Sequence, residues 1–188
     1  MSTDHAEKQY SIFAIAVNLM LACFVSGLVI ATTYFFTAPI AIKNAEAAKT
    51  ESMQLLVPDA DEFVPVEGQE EWFAATKGGE TSAYIVASEV KGYGGKIKMM
   101  VAVSLDGGVI DYTILSANET PGLGDKAGKE PFKSQIIGKT AENLIVTKDP
   151  SKTENVQAMT GATISSKAVT LGVQNAVKEM NEFVGGSN

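Results

Sequence analysis

Polar and apolar positions divide this 188-residue chain into two unequal parts. From Gln9 to Ile42 there is no charged residue, and Ile12 to Phe36 is apolar on every side. A helix needs about 20 such residues to cross about 30 Å of hydrocarbon. The stretch therefore predicts a transmembrane helix, placed at residues 10–40 after a short tail at 1–9. Tyr10 lies at one end and Tyr34-Phe35-Phe36 at the other, as interfacial aromatics do. A buried core helix is not expected, because the run is apolar on every face and too long. Ala45-Glu46-Ala47 loosely resembles a signal-peptidase site, but the apolar run is about twice the usual length of a signal core. A permanent anchor is expected. Pro39 is expected to kink or end the helix. Lys8 before the run and Lys43 and Lys49 after it give no clear charge bias from which to read orientation. Asn18, a polar residue within the span, is expected to face another helix rather than lipid.

Beyond the anchor, Ala41 to Leu56 has alanine-rich helical periodicity that ends at Pro58. Pro58 to Glu71 is acidic and contains proline, and predicts a loop with its carboxylates in water. Residues 41–71 are thus expected to form a helical and acidic connector, and residues 72–188 a compact domain. Within that domain, Ala83 to Glu89 and Lys96 to Leu105 alternate as strands about the turn Gly92-Tyr93-Gly94-Gly95. Val109 to Ser116 follows the hairpin signal Asp106-Gly107-Gly108. A short helix is expected around Glu130 to Ile137 and a strand around Asn143 to Thr147. From Ile164 to about Val184, Val169, Val173, Ala176, Val177, Met180 and Val184 form one apolar stripe of a long helix. Strands in meander followed by helices predict an α+β domain built on an antiparallel sheet.

Composition narrows the chemistry. The net charge is -7, and all 15 basic residues are lysine. An acidic chain without arginine lacks the usual bidentate reader of bases and phosphates, so nucleic acid is not an expected partner. The single histidine is His5, and the single cysteine, Cys23, lies inside the apolar run. No His-based triad, zinc site or iron–sulfur site can be assembled from these. Redox chemistry would need a bound organic cofactor.

Three segments remain as candidates. Thr160-Gly161-Ala162-Thr163 stands immediately before the last helical pattern. A hydroxyl, a glycine, a small residue and a second hydroxyl bring bare N–H groups to a helix start, which suits a phosphate. An ordinary threonine cap is the plainer reading of the same residues. In Glu119-Thr120-Pro121-Gly122-Leu123-Gly124, Pro121-Gly122 suits a type II turn and Gly124 permits close approach by a planar ligand or a loop. Gly122 to Gly128 has one residue too many for a dinucleotide fingerprint and lacks its βαβ setting. Gly95-Lys96 is followed by Ile97, which excludes a P-loop. The third segment is Gly92 to Gly95, a glycine-rich turn with one aromatic, Tyr93.

The order of these segments, with Ser166 three residues past Thr163, resembles that of covalent-FMN-binding domains. The chain is similar over nearly its whole length to the G subunits of Rnf complexes, which are ion-translocating ferredoxin:NAD oxidoreductases. It is related to the C subunits of sodium-translocating NADH:quinone oxidoreductases. The resemblance implies FMN joined by a phosphoester to Thr163, with Thr160, Gly161, Ala162 and Ser166 around the phosphate. It implies flavin contacts from Glu119, Thr120, Pro121, Gly122, Leu123 and Gly124, with Tyr93 and Gly94 at the ring edge. The family's first motif position is more often serine; Thr160 keeps the hydroxyl. Implied partners are flavin, iron–sulfur and integral membrane subunits, membrane lipid, and a flavin transferase that uses FAD and Mg²⁺. Implied too are coupling to Na⁺ or H⁺ and a flavin domain outside the cytoplasmic membrane. The function so implied is electron transfer, with no independent catalysis. A membrane-anchored binding or sensory domain without redox activity, and the flavin subunit of a quinone-linked complex, are the alternatives.

Overall fold

The computed structural model describes residues 11–186. The tail at 1–9, His5, Lys8 and Tyr10 lie outside the described residues. Two compact units are present, Met1–Lys49 and Thr50–Asn188.

The first element, α1 (Ile12–Leu56), is a single helix with Pro39 inside it. The transmembrane pattern and the alanine-rich pattern after it are therefore one element rather than two. Pro39 does not end it. A proline removes one N–H from a helix but leaves φ helical, so the turns on either side can persist. Residues 11–36 are exposed throughout, as a lipid-facing helix outside its membrane should be. The hydroxyls of Ser26, Thr32, Thr33 and Thr37 each donate to the carbonyl four residues earlier. These bonds hide polar groups that lipid could not satisfy.

In the second unit, five strands run β1 (Glu62–Pro65), β2 (Phe73–Lys77), β3 (Glu80–Lys91), β4 (Lys96–Ser104) and β5 (Val109–Ser116). They pair in sequence order as an antiparallel meander. The predicted α+β architecture with a long C-terminal helix is present. The hairpin turn at Gly107 has φ +83, a conformation that suits glycine. β1 lies within the stretch expected to be an acidic loop, and β2 had no strand signal. Both are short, and β1 sits at the sheet edge with Pro65 at its end, where a missing N–H is tolerated.

The C-terminal helix α2 (Thr163–Gly186) packs on one face of the sheet. Val169, Val173, Ala176, Val177 and Met180 meet Val86, Ile97, Met99, Val101 and Val103 there. The opposite face, carrying Ala75, Ala83, Ile85, Met100 and Ala102, is covered by Met53, Leu56, Val57 and Ala60. β4 is thus buried on both faces, which is why its apolar run is denser than simple alternation gives. The stretch expected as a helix at 130–137 is reduced to a 3-10 turn at Lys133–Gln135. The expected strand at 143–147 shrinks to β6 (Val146–Thr147), paired in parallel with β7 (Val156–Gln157).

Candidate functional site

The head of α2 is set by a glycine and a serine. Gly161 has φ +76, so the chain reverses there at no steric cost. The Ala162 N–H donates to the Met159 carbonyl at 3.1 Å. The Ser166 hydroxyl accepts from the Met159 N–H at 3.0 Å and donates to the Ala162 carbonyl at 2.9 Å. Ser166 is fully buried, so it fastens the turn to the helix from beneath.

The first helical hydrogen bond runs from the Ser166 N–H to the Ala162 carbonyl. Ala162 is therefore the capping position and Thr163, Ile164 and Ser165 form the first turn. No carbonyl precedes them at helical spacing, so their N–H groups have no partner within the helix. An alanine offers no side-chain oxygen to cap them. The plain reading of Thr163 as a helix cap is thereby ruled out: Thr163 is the first residue inside the helix.

These residues open on a cavity of about 660 Å³ lined by Tyr93, Thr120, Leu123, Gly124, Lys148, Gly161, Ala162, Thr163, Ile164 and Ser165. All three predicted segments contribute. The Pro121-Gly122 turn has the expected form, with Gly122 at φ +77 and the Leu123 N–H donating to the Thr120 carbonyl at 3.1 Å. The Gly124 N–H shares that carbonyl at 3.0 Å. Leu123 reaches the motif: a Cβ added at Gly161 would lie 3.3 Å from its Cδ2.

Some predicted residues do not line the cavity. Thr160, Pro121 and Gly122 are exposed beside it, Ser166 is buried under the helix, and neither the exposed Gly94 nor the half-buried Glu119 is part of the lining. Glu119 turns into the protein, where Oε1 accepts from the Gly94 N–H at 3.1 Å and Oε2 accepts from the Ser165 hydroxyl. Lys148, Ile164 and Ser165 line the cavity but were not read from the sequence. Ile164 and Ser165 were legible in principle, because the N–H groups of a helix's first turn all point out of its N-terminal end, whichever way the side chains face. Lys148 follows β6 in an irregular segment with no local signal. At the back of the glycine loop, a hydrogen bond from Lys129 holds the Asp125 carboxyl below the usual carboxylate range. No cluster of His, Cys, Asp or Glu suited to a metal occurs among the described residues.

The G subunit of the proton-translocating ferredoxin:NAD(+) oxidoreductase complex of Clostridium ljungdahlii is 52% identical to this chain, over 96% of it and 97% of the relative. The chain belongs to this family of G subunits. A second member, the G subunit of the Na(+)-translocating ferredoxin:NAD(+) oxidoreductase complex of Acetobacterium woodii, is 31% identical over 89% of the chain and 90% of its own length. Residues 92–178 match the FMN-binding domain family. That span begins at the Tyr93 turn and takes in the Glu119 loop and the Thr163 motif. The crystal structure of the C subunit of the Na(+)-translocating NADH-quinone reductase of Parabacteroides distasonis is also similar. Its TM-score is 0.50 at 25% identity, covering 60% of this chain and 61% of that one.

The chemistry of the G-subunit site fits an FMN phosphate. Bare first-turn N–H groups and the positive end of α2 favour an anion by about 0.3–1 kcal/mol, more when partly buried. Lys148 adds a cation on the same wall. The cavity volume is within the roughly 300–1,000 Å³ usual for small-ligand sites.

Proposed function

We propose that this protein is the FMN-bearing electron-transfer subunit of a membrane-bound, ion-translocating ferredoxin:NAD⁺ oxidoreductase, with the flavin joined by a phosphoester to Thr163. The observation that carries this is the position of Thr163. It is the first residue of α2, half-buried on the cavity wall, and the N–H groups of this first turn have no carbonyl partner within the helix.

Bound FMN supplies the electron chemistry that no side chain here can. The protein's part is to hold it. Thr163 contributes the ester oxygen. The phosphate then keeps about one negative charge at neutral pH, which the first turn of α2 and Lys148 offset. Attachment fixes the phosphate end, and the exposed Tyr93, Leu123 and Ile164 offer apolar surface to the rest. A cavity open to solvent suits a carrier whose cofactor must approach those of its partners. Those partners are the flavin, iron–sulfur and integral membrane subunits of the complex. α1 anchors the chain as a single span, and the flavin domain lies on the extracytoplasmic side. A separate flavin transferase would join the FMN half of FAD to the Thr163 hydroxyl, with the hydroxyl proton released and AMP as the leaving group. The full-length 52% identity to a ferredoxin-linked relative favours that complex over the quinone-linked one.

Thr163→Ala tests the attachment. Expressed with an active flavin transferase, the wild-type protein should fluoresce as a denatured gel band and gain the mass of one FMN. T163A should do neither, yet melt within about 1 kcal/mol of flavin-free wild type, since a half-exposed first-turn methyl and hydroxyl contribute little. A fluorescent T163A band would overturn the assignment.

A further inference from the structure

Among the described residues, Glu119 is the carboxylate that links the Tyr93 turn to the first turn of α2. Its Oε1 accepts from the Gly94 N–H at 3.1 Å, and its Oε2 accepts from the hydroxyl of Ser165, two residues past the attachment point. Three glycines make room for this segment. A Cβ at Gly92 would lie 2.3 Å from Glu119 Oε1. At Gly124 it would lie 2.8 Å from Glu119 Oε2 and 2.6 Å from the Ser165 hydroxyl. At Gly94 it would lie 1.7 Å from the Asn118 carbonyl oxygen. The close approach that Gly124 was expected to permit is, in the fold, to Glu119 and the Ser165 hydroxyl, while Gly92 and Gly94 clear Glu119 and Asn118. Tyr93 stands between two of them, exposed yet on the cavity wall.

We propose that Glu119 is a positioning residue: its carboxylate ties the Gly92–Gly95 turn to the first turn of α2, and so sets where Tyr93 stands over a flavin carried on Thr163. The proposal rests on the flavin reading of Thr163. It differs from a contact role, because both carboxylate oxygens are engaged by the protein, one by the Gly94 N–H and one by the Ser165 hydroxyl, and Glu119 is not part of the cavity lining. Glutamine can replace this chemistry in kind. Its carbonyl oxygen would accept from Gly94, and its amide would donate to the Ser165 oxygen. Alanine cannot.

The test uses Glu119→Ala, Glu119→Gln and Ser165→Ala in the full-length protein, each with Thr163 intact and with T163A. In the flavin-free T163A background, hydrogen exchange at residues 92–95 should quicken about tenfold in E119A, since bonds to charged groups are among the stronger ones. E119Q should stay close to the parent. With Thr163 intact, intact mass should still show covalent FMN in E119A and E119Q. The visible circular dichroism of the flavin should change in E119A and return in E119Q. Unchanged exchange and unchanged dichroism in E119A would overturn the proposal. So would E119Q behaving like E119A, which would make charge and not geometry the operative property. If E119A does not fold, S165A serves: it removes one of the two ties, and should quicken exchange at Gly94 by a smaller factor. No change there would equally sink the idea. Covalent flavin persisting in T163A would instead refute the attachment site and leave the Glu119 tie to be judged by exchange alone.

Discussion

Alanine is a poor helix cap, and at Ala162 that deficiency leaves the head of α2 open to an anion. A serine there would bring its own oxygen to the N–H groups of Ile164 and Ser165. Ala162→Ser is therefore expected to stabilise the flavin-free protein by about 0.5–1 kcal/mol while lowering flavin attachment. Thermal melts of the flavin-free form and gel fluorescence after exposure to the transferase check both halves. Higher stability with undiminished flavin would mean that the first-turn N–H groups do not hold the phosphate. The turn from Thr160 to Thr163 at the head of α2 was legible in sequence, because a glycine and a small residue between two hydroxyls mark a helix start by residue type alone. The role of Glu119 was not legible. A glutamate beside a glycine loop looks the same whether it points out to a ligand or in to Gly94 and Ser165, and only the fold decides which. Lys148 was silent for a similar reason: β6 and β7 are two residues each, too short to leave a pattern that places the loop between them.

At the scale of elements, legibility followed burial. β4 and α2 carry the densest apolar positions and were plain from periodicity, whereas β1 and β2 carry few and were not. Between the clear strands and the cavity stands Tyr112 on β5, fully buried, its hydroxyl donating to the Ala127 carbonyl in the 3-10 turn Gly124–Gly128. That bond supports the glycine loop from below. Burial, with the nearby charges of Asp111 and Glu130, pushes the Tyr112 hydroxyl well above its ordinary value of 10.0. The folded protein thus keeps a proton that the unfolded chain releases near pH 10. Its contribution to stability is complete below that pH and drains as the pH rises beyond it. Tyr112→Phe should cost about 1–2 kcal/mol at neutral pH, because the Ala127 carbonyl loses its donor. It should also fall less steeply than wild type between about pH 9.5 and 11, where the tyrosine term operates. Urea midpoints measured across that range distinguish the two slopes; parallel curves would mean that Tyr112 does not couple folding to alkaline pH.

For the whole molecule, the question is where the flavin-bearing unit begins. Sequence pattern points to residue 72, where the acidic stretch ends. The fold divides instead between Lys49 and Thr50. The end of α1 supplies Met53 and Leu56, and the following turn supplies Val57 and Ala60, to the sheet face opposite α2. A pattern search misses this cover because its few apolar residues lie in the alanine-rich and acidic connector, apart in sequence from the strands they cover. Two truncations separate the boundaries. Residues 50–188 keep the cover and β1, and should be soluble without detergent and unfold cooperatively. Residues 72–188 lose both. Ala75, Ile85, Met100 and Ala102 would face water, and the backbone of β2 would become an unpaired edge. Burying side chains of that kind is worth about 1.5–3 kcal/mol for each large one, so losing Met53, Leu56 and Val57 removes a large share of a stability that is about 5–15 kcal/mol for a typical domain. The shorter fragment should aggregate or show no cooperative transition by circular dichroism. If it melts as the longer one does, the cover contributes nothing to the flavin domain, and α1 serves only as an anchor.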